Sequence, residues 1–151
     1  MKHVKKSVLL WYSPHQMYTL VTAVGDYPEF LPWCERAELL SEDAKGATAR
    51  LHLSYLGVRQ SFTTRNLHTR DAAVKLELVD GPFSVLDGSW QFSPVPRAAG
   101  AEATSCKIDF HLRYSFANAA LNALVSPMFD RIAGTLVDSF VKRAEQVYGG
   151  E

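Results

Sequence analysis

The chain has 151 residues, of which 47% are hydrophobic, and its 16 basic and 16 acidic residues give a formal net charge of zero. This composition excludes a disordered chain and fits one globular domain over residues 1–151 with a sizeable core. A chain without net charge has no overall field that attracts nucleic acid or an anionic membrane, so DNA is not an expected partner.

The two cysteines fit neither a metal site nor a disulfide framework. Cys34 and Cys106 lie far apart in the sequence, so we expect two small buried side chains. The apolar run at residues 7–12 is too short for a signal peptide, and no run approaches the length of a membrane span. The expected location is cytoplasmic.

The beginning of the chain predicts one strand and two short helical segments. Residues 3–12 are rich in Val, Leu and aromatic side chains, which favour a strand. Ser13 and Pro14 are typical of a helix start, and Gly25 is typical of its end. The next stretch, DYPEFLPW at residues 26–33, contains two prolines and three aromatic residues and predicts a short helical turn with a rigid bend.

Period-two alternation then predicts six strands, and every sheet connection is short enough for an antiparallel hairpin. The predicted strands are residues 35–42, 47–56, 59–68, 73–79, 83–92 and 105–116. Asp87 and Gly88 predict a bulge or bend in the fifth of these strands. Residues 94–103 predict a loop of small side chains.

The longest periodic segment, residues 118–148, predicts a helix with a broad apolar face. Because Pro127 has no amide hydrogen, we expect a short opening turn, with Ser126 capping the main helix and Pro127 at its first position. Gly134 in the middle of the helix predicts the close approach of a strand or a ligand. The fold class is therefore α+β, one curved antiparallel sheet of about seven strands around a C-terminal helix.

So large a sheet encloses more space than one helix fills, which predicts a cavity between them. The candidate ligand-binding residues come from the bend, the strands and the last helix. They are Pro28, Phe30, Leu31, Trp33, Phe62, Thr64, Phe83, Trp90, Phe92, Met128, Phe129, Ile132 and Leu136. Ordinary core packing accounts for the same residues.

The sequence contains no catalytic or metal-binding motif. Its five histidines show no metal-ligand spacing, and it lacks a phosphate-binding glycine loop, a nucleophile elbow and paired carboxylates. The best polar candidate for the cavity wall is the segment FTTRN at residues 62–66, because its hydroxyls, guanidinium and amide could place hydrogen-bond donors toward a cavity. Alternation places either Phe62, Thr64 and Asn66 or Thr63 and Arg65 on the inner face.

Several motifs together resemble one known family. They are YPEFLPWC at residues 27–34, FTTRN at 62–66, LVDGPF at 78–83, WQFSP at 90–94, FHLRYSF at 110–116 and the ending LVDSFVKRAEQVY. The combination is similar to the coenzyme Q-binding START-like family of the polyketide cyclase/dehydrase superfamily, and it spans nearly the whole chain. The resemblance implies a helix-grip fold, in which a sheet curls around a C-terminal helix to form an apolar ligand tunnel.

The resemblance implies two kinds of activity. One is non-enzymatic binding of ubiquinone or another polyisoprenoid lipid in support of respiratory electron transport, with no required cofactor and with peripheral membrane contact. The other is a toxin activity, in which the protein binds the large ribosomal subunit and blocks subunit association. The candidate contacts for such a surface patch are the basic residues Lys2, Lys5, Lys6, Lys142 and Arg143. We place lipid binding first, because a neutral chain is a weak partner for rRNA.

A third reading is an enzyme of the cyclase or dehydratase kind, which shares this fold. Such an enzyme needs an acid or base inside the cavity, and Arg65, Asp80 and Tyr55 are the candidates. None of the three has an identifiable partner in the sequence. We rank this reading last and expect a protein that is not an enzyme.

Overall fold

The computed structural model describes residues 1–95 and 104–149. The strands in these ranges are β1 (Lys2–Leu10), β2 (Cys34–Asp43), β3 (Gly46–Tyr55), β4 (Val58–Thr69), β5 (Ala73–Asp80), β6 (Phe83–Pro94) and β7 (Cys106–Phe116). They form one antiparallel sheet in the order β1-β7-β6-β5-β4-β3-β2. The predicted α+β architecture is confirmed.

Three α-helices accompany the sheet in the described part of the chain: α1 (Pro14–Thr22), α2 (Tyr27–Phe30) and α3 (Ala119–Tyr148), with a 3-10 turn at Val24–Asp26. The predicted start of α1 is confirmed. The Ser13 hydroxyl accepts a hydrogen bond from the Gln16 backbone N–H, and the Gln16 side chain accepts one from the Ser13 N–H. None of these helices has the length and hydropathy needed to cross a bilayer.

The ends of β1 and α1 differ from the prediction. β1 ends at Leu10 rather than at residue 12, because its partner β7 begins at Cys106, which pairs with Leu10. α1 ends at Thr22, and the 3-10 turn occupies the place of the predicted last turn. Of the predicted loop at residues 94–103, Pro94 belongs to β6, and residues 96–103 lie outside the described ranges.

α3 runs without interruption through Pro127, so the predicted opening turn and the cap at Ser126 are wrong. The helix is capped instead by Asn118, whose side-chain oxygen accepts a hydrogen bond from the Leu121 N–H at 2.9 Å. Pro127 is exposed, and the carbonyl that loses its hydrogen bond belongs to Ala123, which is also exposed to water. The helix therefore tolerates the proline at moderate cost.

Two glycine predictions also fail. A Cβ at Gly134 would meet no atom within 4 Å, so nothing approaches the helix closely there. At Gly88 the strands β6 and β7 pair in register, and the register shift lies between Phe83 and Val85. Gly88 is required for a different reason, since a Cβ there would lie 2.5 Å from the His111 carbonyl oxygen of β7.

The core lies between the concave face of the sheet and helices α1 and α3. Phe140 of α3 is fully buried and contacts the rings of Trp90, Tyr27 and Phe30, with centroid distances of 5.1 to 5.4 Å. Both cysteines are free and buried, as predicted, and burial raises the pKa of each thiol to about 11. Aromatic packing thus joins α2, α3 and the sheet.

A polar cluster joins β1, β7 and α3. The Lys2 ammonium group lies 2.5 Å from an Asp130 carboxylate oxygen and 2.5 Å from the Ser126 hydroxyl. The Tyr114 hydroxyl donates a hydrogen bond to the other oxygen of Asp130. One carboxylate therefore links both strands to the helix.

Candidate functional site

An apolar cavity of about 90 Å³ lies between the concave face of the sheet and α3. Three parts of the fold supply its wall. The segment before β2 contributes Val21, Val24, Tyr27 and Trp33; α3 contributes Phe129, Ile132, Ala133 and Leu136; the sheet contributes Ala49, Leu51, Phe62, Thr64, Asn66, His68, Val74, Leu76, Leu86, Trp90, Phe110 and Leu112. The predicted cavity is present.

The cavity is small for a ligand site. Pockets that bind small molecules typically measure roughly 300–1,000 Å³, whereas an engineered cavity of about 150 Å³ accepts benzene. At about 90 Å³ the space is smaller than either. A prenyl tail is therefore larger than this space.

Strand β4 places a polar stripe on the cavity wall. Thr64, Asn66 and His68 recur at every second residue and face inward, so the first of the two predicted faces of FTTRN is the inner one. The Thr64 hydroxyl donates a hydrogen bond to the Asn66 side-chain oxygen at 2.7 Å. His68 contacts the edge of Tyr18, and burial lowers the pKa of its imidazole, which is therefore neutral at pH 7.

Trp33 adds a second polar feature to the wall. Its side chain is 8% exposed, and its indole nitrogen is buried without a hydrogen-bond acceptor among the described residues. The backbone carbonyl of Trp33 accepts a hydrogen bond from the Ser54 N–H of β3, which fixes the residue at the start of β2. A buried donor without an acceptor is uncommon in a folded protein.

The structure brings seven of the predicted ligand-binding residues together on the cavity wall. They are Trp33, Phe62, Thr64, Trp90, Phe129, Ile132 and Leu136. They come from the bend, from β4, β6 and α3, as the strand faces and the helix period predict. Their contact with a ligand stays a prediction.

The other six predicted residues lie elsewhere. Leu31, Phe83, Phe92 and Met128 are buried in the filled core. Pro28 is exposed, and Phe30 is half-buried between Phe140 and the Arg143 guanidinium, which lies 5.1 Å from the centre of its ring. These six residues do not form the cavity wall.

Sequence reasoning missed part of the wall. Leu51 and Leu112 were recognisable, because each lies on the inner face of an alternating strand. His68 continues the period-two stripe of Thr64 and Asn66. Tyr27 belongs to the aromatic bend and to the motif YPEFLPWC, but a helix of four residues is too short for its period to show that the ring faces the cavity.

The candidate acids and bases do not face the cavity. Arg65 points to the opposite face of β4, where its guanidinium binds both carboxylate oxygens of Asp43 at 2.8 Å. Neither Asp80 nor Tyr55 belongs to the cavity wall. Within residues 1–95 and 104–149, no group of three or more His, Cys, Asp or Glu residues is arranged to hold a metal ion.

The basic residues predicted to contact the ribosome fall into two groups. Lys2 and Arg143 form ion pairs, with Asp130 at 2.5 Å and with Glu29 at 3.3 Å. The remaining three, Lys5, Lys6 and Lys142, are exposed and make no ion pair with any described residue. Only this second group presents unneutralised positive charge.

The fold and the cavity define the class of this protein. The family described as polyketide cyclase / dehydrase and lipid transport matches residues 10–141 of the chain. A START superfamily protein from Mycobacterium smegmatis has the same fold, with a TM-score of 0.74 at 17% identity over 96% of this chain and 98% of that one. The chain belongs to this polyketide cyclase / dehydrase and lipid transport family.

Two relatives differ in how fully they match. The ribosome association toxin RatA of Pseudomonas aeruginosa is 39% identical over 147 residues, which cover 97% of this chain and 98% of that protein. The mitochondrial coenzyme Q-binding protein COQ10 homolog B of Xenopus laevis is 31% identical over 146 residues, which cover 95% of this chain but 58% of that protein. The predicted family resemblance is confirmed.

Proposed function

We propose that this protein acts in ribosome association, the activity that the name of RatA states for that protein. On this proposal it binds the large ribosomal subunit and prevents that subunit from joining the small one. The observation that carries this proposal is the match to RatA from end to end of both chains. The sequence alone placed lipid binding first. The partial coverage of the coenzyme Q-binding relative and the small cavity now place ribosome association first and lipid binding second.

The ribosomal contact needs positive charge that is free to meet phosphate, because neutralised phosphates supply most of the affinity for RNA. Lys5 and Lys6 on β1 have that property, whereas Lys2 is held by Asp130. β1 is an edge strand of the sheet, so these side chains are accessible to a large partner. We propose that they contribute to the ribosomal contact.

Sucrose-gradient profiles of cell extracts test this function. Overproduction of the protein should lower the fraction of joined ribosomes and raise the fraction of free subunits. A double variant, Lys5→Glu with Lys6→Glu, should weaken that effect, whereas Lys45→Glu, in the turn between β2 and β3 at the other edge of the sheet, should not. Unchanged profiles with the unaltered protein would refute the proposal, and equal potency of the double variant would remove β1 from the contact.

The second proposed function is non-enzymatic binding of an apolar ligand, for which ubiquinone or another polyisoprenoid lipid is the candidate. Its support is the apolar wall between sheet and helix, since apolar surface gains about 25 cal/mol per Å² when it is buried. Neither function requires a cofactor. Both are compatible with a cytoplasmic protein that contacts the membrane peripherally.

Extraction of the purified protein with organic solvent, followed by mass spectrometry, tests the second function. A bound prenyl lipid is the expected result, and Leu136→Trp should reduce the amount by filling the cavity. Val147→Trp, an exposed position on the same helix, is the matched control. A protein that carries no lipid and takes up no added quinone would refute this function.

A further inference from the structure

The cavity wall carries hydrogen-bond donors that no described residue satisfies. The Thr64 hydroxyl donates to the side-chain oxygen of Asn66, and the Asn66 amide N–H groups make no hydrogen bond to a described residue. Asn66 is 8% exposed and belongs to the wall. Its amide group therefore borders the cavity.

Trp33 provides the second donor, through its buried indole N–H. The two donors lie toward different ends of the cavity, because Trp33 is bonded to Ser54 of β3 whereas Asn66 pairs with Ala47 of the same strand. Each donor costs free energy while it lacks an acceptor. A ligand that brings an acceptor to either one recovers that cost.

We propose that the cavity selects apolar ligands that carry a hydrogen-bond acceptor oxygen, such as a carbonyl, and that Asn66 and Trp33 are the specificity-determining residues. This inference rests on the second proposed function. The ligand's hydrocarbon body packs against Leu51, Leu136 and Ile132, and its oxygen accepts from the Asn66 amide or the Trp33 indole. A hydrocarbon of the same shape leaves both donors unpaired.

The donor character is set by the surroundings of Asn66. A free carboxamide offers an acceptor as well as two donors, so it does not discriminate between ligand oxygens and ligand N–H groups. The hydrogen bond from Thr64 occupies one of the two lone pairs of the Asn66 oxygen and leaves both amide N–H groups available. The site therefore favours a ligand oxygen that can accept over a ligand group that can only donate.

Two small matched probes test the inference, acetone and 2-methylpropene, in which C=O is replaced by C=CH2. NMR titration of the full chain gives the dissociation constant of each probe, and the quantity of interest is their ratio. The double variant Thr64→Val with Asn66→Leu should shift this ratio against acetone by about tenfold, and Trp33→Phe should shift it in the same direction. Leu124→Met, at an exposed position of α3 outside the cavity wall, should leave the ratio unaltered.

The possible outcomes separate the two proposals. If both probes bind and the ratio is the same in the unaltered protein and in both donor variants, the donors serve internal water and this inference is wrong. If neither probe binds the unaltered protein, this inference is also wrong, whereas the apolar-ligand function is decided separately by the lipid extraction described above. Thermal unfolding of each variant establishes that a changed ratio does not come from a misfolded chain.

Discussion

Gly134 weakens helix α3, and no neighbouring atom makes a glycine necessary at this position. A Cβ there would meet nothing within 4 Å. Gly134→Ala should raise the free energy of unfolding by about 0.5–1 kcal/mol, because alanine favours the helix and restricts the unfolded chain. Urea denaturation measures the change.

Gly88→Ala is the matched control for this substitution. A Cβ at Gly88 would lie 2.5 Å from the His111 carbonyl oxygen, so the same chemical change should destabilise the protein there. A loss of stability at Gly134 would show that the helix has less room at this position than the structure gives it.

Individual residues show how far the sequence predicts the cavity. Alternation correctly grouped Phe62 with Thr64 on one face of β4, because the period of a strand is a local property, but it left open which face is the inner one. It could not separate Phe83 and Phe92, which fill the core, from Trp90, which borders the cavity. That distinction depends on the volumes of side chains from other elements, which the pattern of one strand does not contain.

At the scale of the element, the start of α3 depends on Asn118. Its side-chain oxygen satisfies the Leu121 N–H, one of the first four amides without a helical partner. Asn118→Ala should lower the free energy of unfolding by about 1 kcal/mol, whereas Asn118→Asp should retain the cap. Chemical denaturation of both variants measures the difference.

Asn122→Ala provides the control, since Asn122 is exposed one turn later and its side chain forms no hydrogen bond with a described residue. Its effect should be small. Equal losses at the two positions would mean that the cap contributes nothing specific.

The continuity of α3 shows where local rules stop. Pro127 predicts a break when it is considered alone. The buried side chains on both sides of it, Val125, Met128 and Phe129, bind the helix to the sheet before and after the proline. Tertiary packing therefore maintains one helix where the sequence predicted two, a conclusion that no window of local sequence provides.

At the scale of the whole molecule, Asp130 joins β1, β7 and α3, and this connection should depend on pH. Burial raises the pKa of Asp130, but hydrogen bonds from Lys2, Tyr114 and Ser126 outweigh it and hold the pKa below its usual range. A carboxylate with a lowered folded-state pKa adds stability above its unfolded-state pKa of about 3.9, and this contribution is lost as the pH falls further.

Asp130→Asn should therefore destabilise the protein at pH 7 by about 1 kcal/mol or less, since the ion pair is partly exposed. The difference from the unaltered protein should shrink progressively as the pH falls below about 3.9, as measured by urea denaturation at each pH. Asp138→Asn, on an exposed site of the same helix, should show little difference over the same pH range. A deficit that grows as the pH falls below about 3.9 would contradict the assignment.

The adjacency of β1 and β7 determines when the fold closes during synthesis. Lys2 pairs with Tyr114 and reaches Asp130, 128 positions later in the chain. Because synthesis proceeds at about 5–20 residues per second, roughly 6–25 seconds pass between the synthesis of Lys2 and that of Asp130. The hydrogen-bonding edge of β1 stays open throughout this interval. The protein therefore completes its fold only after β7 and the first half of α3 have been synthesised.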